Sequence, residues 1–366
     1  MKLVITGGHH SSALPVIKKL KEKIPDLQIY WLGHRHTLKD DTNDTLEYKE
    51  ISALGIPFYE LKAGKVYKIT NIKRLLLVPF GFIQAFFLLL RIRPNAILSF
   101  GGYLAVPTVV AGYFLGIPSV THEQTVVVGY ANKVLSFFAK KILISWKESA
   151  DYFPAGKTVY TGIPLRETLY KVSSNSFETD NGLPYIYITA GKTGSHIINE
   201  QVKLILAELL SFCNVIHQTG DYSVTNDYDA LVSLYSTIAH LSQGNYFVRK
   251  FILEDEIGEV FNRASLLVSR AGAHTIAELL SLNKPALLIP IPWVSHNEQF
   301  KNAQLLKEQG LAHILNEENL TAGSLLFEIR TMLDDIKKFN LKSGTASNIL
   351  NAYAAELIAN ETIKLF

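Results

Sequence analysis

Apolar positions in this chain fall into short, nearly continuous runs. Leu3–Thr6, Gln28–Leu32, Ala96–Ser99, Ser119–Thr121 and Ile142–Ser145 form one series; Tyr185–Thr189, Val215–Gln218, Tyr246–Arg249, Leu266–Ser269 and Ala286–Pro290 form another. Runs without period-two polarity predict parallel strands covered on both faces. Between them lie segments with apolar residues at helical spacing, such as Ala13–Ile24, Ile198–Ser211 and His274–Leu282. Alternation of strand and helix predicts right-handed βαβ units and doubly wound α/β sheets.

The two series part at Phe153-Pro154-Ala155-Gly156 and at the polar stretch Lys171–Gly182, where a mobile loop is expected. The predicted division is an N-terminal domain over 1–158 and a C-terminal domain over 159–342. A last helix, Ser343–Ile363, has no strand after it. A length of 366 residues suits two domains with a core each.

The most apolar stretch, Leu75–Leu90, is shorter than a membrane span and contains Pro79, Gly81 and Gln84. Lys73, Arg74, Arg91 and Arg93 flank it. It reads as a buried core helix, or as one offering an apolar face to a membrane surface while its cations meet anionic headgroups.

Composition narrows the function. With 36 Lys and Arg against 33 Asp and Glu, no basic excess exists to neutralise a nucleic-acid backbone, so nucleic acid is not an expected partner. The 48% hydrophobic content excludes a disordered chain. The single cysteine, Cys213, excludes an internal disulfide framework and Cys-based metal sites, and fits a reducing cytosol. Met1–Gly8 is a strand running into glycine, too short for a signal peptide.

In doubly wound sheets ligands bind beyond the carboxyl ends of the strands. The first such turn, Gly7-Gly8-His9-His10-Ser11-Ser12, can meet an anion, and a tight turn capped by Ser11 or Ser12 accounts for the same residues. The next ones are Gly101-Gly102-Tyr103 and His122-Glu123-Gln124-Thr125, the latter followed by Gly129 and Asn132. In the second half, Gly191-Lys192-Thr193-Gly194 could cradle phosphate but lacks P-loop spacing. Ser269–Glu278 is a glycine turn opening a helix, with Glu278 placed to accept from a ribose diol or simply to favour the helix start. His296–Ala303 is a polar helix start. Asp227-Tyr228-Asp229 reads as charge at a helix N-terminus, and His34-Arg35-His36 as a solvated loop.

Taken together these turns resemble the MurG family, glycosyltransferases of family 28 that convert lipid I to lipid II in peptidoglycan synthesis. The resemblance covers nearly the whole chain and rests on GGYLAVP at 101–107, LGIPSVTHEQ at 115–124, GYANKVL at 129–135, TGIPLR at 161–166, SRAGAHTIAE at 269–278 and Gln299 with Asn302-Ala303. It implies a GT-B fold, two Rossmann-like domains with the last helix, within 343–366, returning to the first. It implies UDP-N-acetylglucosamine bound by Gly8, Arg166, Gly191, Lys192, Thr193, Ile252, Ala273, His274, Thr275, Glu278 and Gln299. Tyr103, Gln124, Thr125 and Asn132 would line the side of a polyprenyl-diphosphate-linked sugar acceptor. The catalytic candidates are His10, His9 and Glu123. No metal or other cofactor is implied, and Leu75–Leu90 would hold the protein to the cytoplasmic face of the membrane. Three places depart from the family: Ser12 stands where it has histidine, Thr125 where it has asparagine, and Ala190-Gly191-Lys192-Thr193-Gly194 where it has Gly-Gly-Ser-Gln-Gly. Enzymes glycosylating another lipid, or a silent membrane-anchoring subunit, are the rival readings; retention of Arg166, Glu278 and Gln299 opposes the silent one.

Overall fold

In a computed structural model the chain divides into two compact units, Met1–Arg166 with Asn351–Phe366, and Glu167–Leu350. Residues 9, 37–43, 64–71, 192, 223, 295–296 and 341–352 fall outside the described structure, as do the side chains of 72–77. The first ten residues of the expected last helix lie there; its described part is Ala354–Ile363.

The first unit is built on strands β1 (Lys2–Thr6), β2 (Gln28–Gly33), β3 (Phe58–Glu60), β4 (Ala96–Ser99), β5 (Ser119–Glu123), β6 (Lys141–Ile144) and β7 (Thr158–Tyr160). They form one sheet in the order β3-β2-β1-β4-β5-β6-β7, with every pairing parallel. The centre strand explains the unbroken apolar runs. Leu3 and Ile5 pack with Val16, Ile17 and Leu20 of α1 (His10–Lys23) and with Ile358 and Ala359 of the C-terminal helix. Val4, on the opposite face, packs with Ala85 and Leu89 of α3 (Ile72–Ile92) and Val109 of α4 (Ala105–Phe114). Both faces are covered, so neither can be polar.

The second unit repeats the plan with β8 (Tyr185–Thr189), β9 (Asn214–Gln218), β10 (Tyr246–Arg249), β11 (Ala264–Ser269), β12 (Ala286–Leu288) and β13 (Ala312–Ile314), ordered β10-β9-β8-β11-β12-β13 and parallel throughout. Ile186 and Ile188 meet α6 (His196–Leu209) and α11 (Ala322–Asp334), while Tyr187 turns to Phe261 of α8 (Ile257–Arg263). Strand order reverses between β1 and β4 and between β8 and β11. Those switch points are where such sheets open a crevice beyond their carboxyl ends.

β3, β7 and β13 were not expected from the sequence. Each is a three-residue edge strand, mostly half-buried, and none carries a continuous apolar run. The Lys171–Gly182 stretch corrects another expectation. It is irregular but anchored: Phe177 is fully buried, and Glu259 accepts from Ser174 Oγ (2.6 Å), Ser176 N (2.8 Å) and Phe177 N (3.1 Å). A buried carboxylate holding this segment replaces the predicted mobile loop.

Candidate active site

At the carboxyl ends of β1, β4 and β5, three turns touch. Gly7 has φ +131°, and a Cβ there would lie 2.9 Å from Gly101 O and from the Phe100 backbone. Only glycine lets the chain leaving β1 lie against the one leaving β4. Gly101 rests on Asn132, whose Nδ2 would be 2.6 Å from an added Cβ. Asn132, in the first turn of α5 (Tyr130–Phe138), donates to Glu123 Oε2 at 2.9 Å. Thr125 donates to Oε1 through its backbone N–H (2.9 Å) and its hydroxyl (2.7 Å). Burial pushes the Glu123 carboxyl above its ordinary range, and these donors oppose the rise. Thr125 and Asn132 thus support Glu123 from within the fold. Gln124 is buried as well; its carbonyl accepts from Trp146 Nε1 at 2.9 Å, and its own Nε2 has no hydrogen-bond partner among the described residues.

His10 is the first residue of α1 rather than part of the turn, so Ser11 and Ser12 lie inside the helix and do not cap it. His10 is buried, with Nε2 2.7 Å from Glu50 Oε2 on α2 (Leu46–Ala53). Ser12 is fully buried and its Oγ has no partner among the described residues. His9 lies outside the described residues, and Gly8 faces open space. Tyr103 OH lies 2.8 Å from His34 Nε2, and burial pushes the phenol up to about 12. His34 is therefore half-buried beside an expected site residue, not in a solvated loop, because β2 delivers it to the same sheet end.

In the second unit, Gly191 (φ +77°) follows β8 and is gripped at both ends. Its N–H donates to Thr189 Oγ1 (3.1 Å), and its carbonyl accepts from Gln218 Nε2 (2.8 Å). The other end of that amide, Gln218 Oε1, accepts from Ile252 N at 2.9 Å. Gly194 lies against the chain leaving β9: a Cβ there would sit 1.8 Å from Thr219 O. Thr193 is exposed, and Lys192 lies outside the described residues.

Across the switch point, Arg270 donates to Ser195 Oγ (2.9 Å) and Ile289 O (3.0 Å) and pairs with Glu317 (2.5 Å). Gln299 and Asn302 of α10 (Glu298–Glu308) hold the next residue: Gln299 Oε1 accepts from Ala271 N (3.3 Å) and Ile291 N (3.1 Å), and Asn302 Nδ2 donates to Ala271 O (3.1 Å). The carbonyl end of Gln299 is thus occupied by backbone. The turn so held opens α9 (Ala273–Leu282), with Ala273 buried, His274 and Thr275 half-buried, and Glu278 buried one turn in, 3.6 Å from His274 Nε2. A helix N-terminus framed by glycine turns is suited to an anion. Arg166 is the last residue of the first unit, and Gly8 belongs to the same unit.

Asp227 does begin a helix, α7 (Asp227–Ile238), yet it is also buried, accepting from Asn199 Nδ2 (2.7 Å) and bonded to His196 Nδ1 (2.7 Å). His217 continues the chain of contacts to Asn199 Oδ1 (3.1 Å) and Tyr246 OH (2.7 Å); burial pushes this imidazole down to about 3. Among the described residues, His196, Glu200 and Asp227 could hold a metal ion, their ligand atoms lying within 4.8 Å of one another. Gln218, Arg270, Glu50 and His34 lie beside the candidate residues or in the same turns and were not among those the sequence put forward. The run His217-Gln218-Thr219-Gly220, polar residues ending in glycine, was a usable signal for the first.

α3 is 21 residues long but does not qualify as a span; among the described residues no helix is long and apolar enough to cross a membrane. Ala85 and Leu89 face the core, and Gln84 bonds to Lys62 N (2.9 Å) and Glu60 O (2.8 Å). Phe80, Ile83, Phe86, Phe87 and Leu90 are exposed. One face of the helix is thus core and the other is bare.

Residues 5–144 match the glycosyltransferase family 28 N-terminal domain, and residues 185–359 the glycosyltransferase family 28 C-terminal domain. A Pediococcus pentosaceus protein named UDP-N-acetylglucosamine–N-acetylmuramyl-(pentapeptide) pyrophosphoryl-undecaprenol N-acetylglucosamine transferase is 32% identical over 361 residues, covering 96% of this chain and 94% of that protein. A Clostridium kluyveri protein of the same name is 30% identical over 377 residues, covering 100% and 98%. The crystal structure of Acinetobacter baumannii MurG superposes with a TM-score of 0.69 at 24% identity, covering 99% of each chain. Neisseria meningitidis UDP-GlcNAc 2-epimerase bound to UDP-GlcNAc gives 0.63 at 16%, covering 100% of each. The two parallel sheets are those of the GT-B fold, and with both halves matched the chain belongs to glycosyltransferase family 28.

Proposed function

We propose that this family 28 glycosyltransferase moves N-acetylglucosamine from UDP-N-acetylglucosamine to the 4-hydroxyl of the muramyl sugar in undecaprenyl-pyrophosphoryl-MurNAc-peptide, lipid I, giving lipid II with inversion. The carrying observation is full-length similarity to relatives bearing that activity in their names, at 30% and 32% identity. Donor binding falls to the second unit. The α9 N-terminus and the Gly191–Gly194 turn would take the diphosphate, Glu278 the ribose hydroxyls, Ile252 the uracil, and the amide nitrogen of Gln299 a sugar hydroxyl. Arg166 and Lys192 would supply positive charge to the departing UDP. Backbone N–H groups, a helix dipole and cations can stabilise that leaving group, so the reading needs no metal.

On the acceptor side, the hydroxyl loses its proton as the bond to C1 forms and the bond from C1 to the diphosphate oxygen breaks. His10 is the assigned base, with His9 and Glu123 as alternatives. Its partner Glu50 fixes the imidazole and stabilises the imidazolium. The protein would work at the cytoplasmic face of the membrane, docked through the bare face of α3. Exposed Tyr113 and Phe114 at the end of α4, and Tyr130 and Phe137 of α5, belong to neighbouring helices and would widen that contact.

Buried Ser12, where the family has histidine, favours a second reading in which the acceptor is another lipid-linked sugar. Transfer of radiolabelled N-acetylglucosamine to a panel of lipid acceptors separates the two. Product from lipid I alone supports the proposal, and product only from another lipid replaces it.

A further inference from the structure

Gln218 is buried at the last position of β9, and its side chain reaches in two directions at once. Nε2 donates to Gly191 O at 2.8 Å, and Oε1 accepts from Ile252 N at 2.9 Å. The orientation of the amide is fixed by these partners, since only the NH2 end can meet a carbonyl and only the oxygen can meet an N–H. The next two residues continue the same contact. Thr219 O lies under Gly194, and Gly220, at φ +79°, is so close that a Cβ there would be 2.6 Å from Gly194 N. Thr219 N and Gly220 N donate to Arg249 O (2.9 Å) and Lys250 O (3.1 Å), just ahead of Ile252. One segment therefore links the turn after β8 with the backbone after β10. These are the segments assigned above to the diphosphate and to the uracil.

We propose that Gln218 is a positioning residue for the nucleotide, its single amide setting the distance between the diphosphate turn and the uracil-contacting backbone. This rests on the donor-site reading above. A nucleoside diphosphate is flexible between base and phosphates, so a site reading both ends gains from a rigid spacer that holds it to one bound conformation. A buried side-chain amide bonded at both ends is such a spacer, because breaking either bond leaves one of its polar ends short of a partner.

The experiment compares three variants of the full chain, with UDP affinity measured by calorimetry and folding by thermal melting. Gln218→Met keeps the length and removes both bonds; UDP affinity should fall tenfold or more, and KM for UDP-N-acetylglucosamine should rise in step while KM for the lipid acceptor stays put. Asn214→Leu is the control. Asn214 begins the same strand and makes the same kind of bridge at the other end, to Asn245 N (2.8 Å) and Leu183 O (3.1 Å). It should lower the melting temperature without touching UDP affinity. Gln218→Glu guards against a methionine variant that does not fold. The introduced carboxylate repels Gly191 O at neutral pH but donates to it when protonated, so UDP affinity relative to wild type should recover as pH falls towards 5. Wild-type affinity in both Gln218 variants at neutral pH, or equal losses in Asn214→Leu, overturns the role of Gln218 alone. Wild-type protein that ignores UDP overturns the donor reading with it.

Discussion

Asn132 donates to Glu123 across 2.9 Å, in a place where both side chains are buried. The two residues come from different elements, a helix start and a strand end, and Gly101 from a third turn rests on the same asparagine. Removing the donor leaves a buried carboxylate oxygen short of a partner. Asn132→Ala should cost about 1–3 kcal/mol, the range for an unsatisfied buried group. Urea denaturation measures it, and an unchanged midpoint would mean that water replaces the amide.

Two glycines of the donor turn should respond differently to the same methyl group. Gly191 and Gly194 both have positive φ, +77° and +69°. Nothing lies within 4 Å of a Cβ at Gly191, whereas Gly194 would meet Thr219 O at 1.8 Å. Gly191→Ala should cost about 1–2 kcal/mol, the left-handed penalty by itself. Gly194→Ala should cost more than that, because a backbone atom must move, and should also weaken UDP binding. Equal stabilities in thermal melts would contradict the packing.

The base assignment predicts that His10→Ala lowers kcat by about 10²–10⁴ with donor affinity little changed. Glu50→Gln should reduce kcat less and move the acidic limb of the rate profile, since Glu50 acts through His10 (2.7 Å). Near-normal kcat in His10→Ala, His9→Ala and the double variant, with activity lost in Glu123→Gln, would transfer the role to the glutamate.

Exposure separates the two faces of α3. Phe80, Ile83 and Phe87 are 49%, 56% and 64% exposed, and Leu89 is 0%. Changing the three exposed residues to Ser should move the protein off anionic vesicles in a sedimentation assay at an unchanged melting temperature. Leu89→Ala should instead cost about 2–5 kcal/mol of stability and leave vesicle binding in the folded protein intact. Persistent vesicle binding by the triple variant would place the membrane contact elsewhere.

Burial of His217 carries a pH signature. Its imidazole is held neutral, down to about 3 from an ordinary 6.5, so the unfolded chain takes the proton first. The contribution is present in full above pH 6.5 and is lost as pH falls towards 3. Between pH 7 and 5 it should amount to about 2 kcal/mol. In His217→Gln the fall in stability over that interval should be shallower by this amount; parallel pH curves would show that the imidazole is protonated in the folded protein.

The central strands and the turns after them were legible in the sequence for one physical reason. A parallel strand covered on both faces is apolar wherever its side chains enter the core, as Leu3, Val4 and Ile5 do. The chain leaving such a strand must be polar or glycine if it is to meet a ligand, as at Gly7, Gly101, Glu123, Gly191 and Gly272. Three edge strands of only three residues obey neither rule, so Phe58–Glu60, Thr158–Tyr160 and Ala312–Ile314 were invisible. The amphipathic character of α3 was also undecided, because a run apolar all round does not say which face the sheet will cover. Contacts between residues far apart in the chain belong to the tertiary structure alone. The sequence could name His10, but not its pairing with Glu50 forty positions on. It could name Gly191 and Ile252 separately, while the amide that joins them sits on another strand, placed there by the pairing of β9 with β8 and β10. Local chemistry is written in neighbours along the chain; the alignment of partners is decided only when the sheet sets their register.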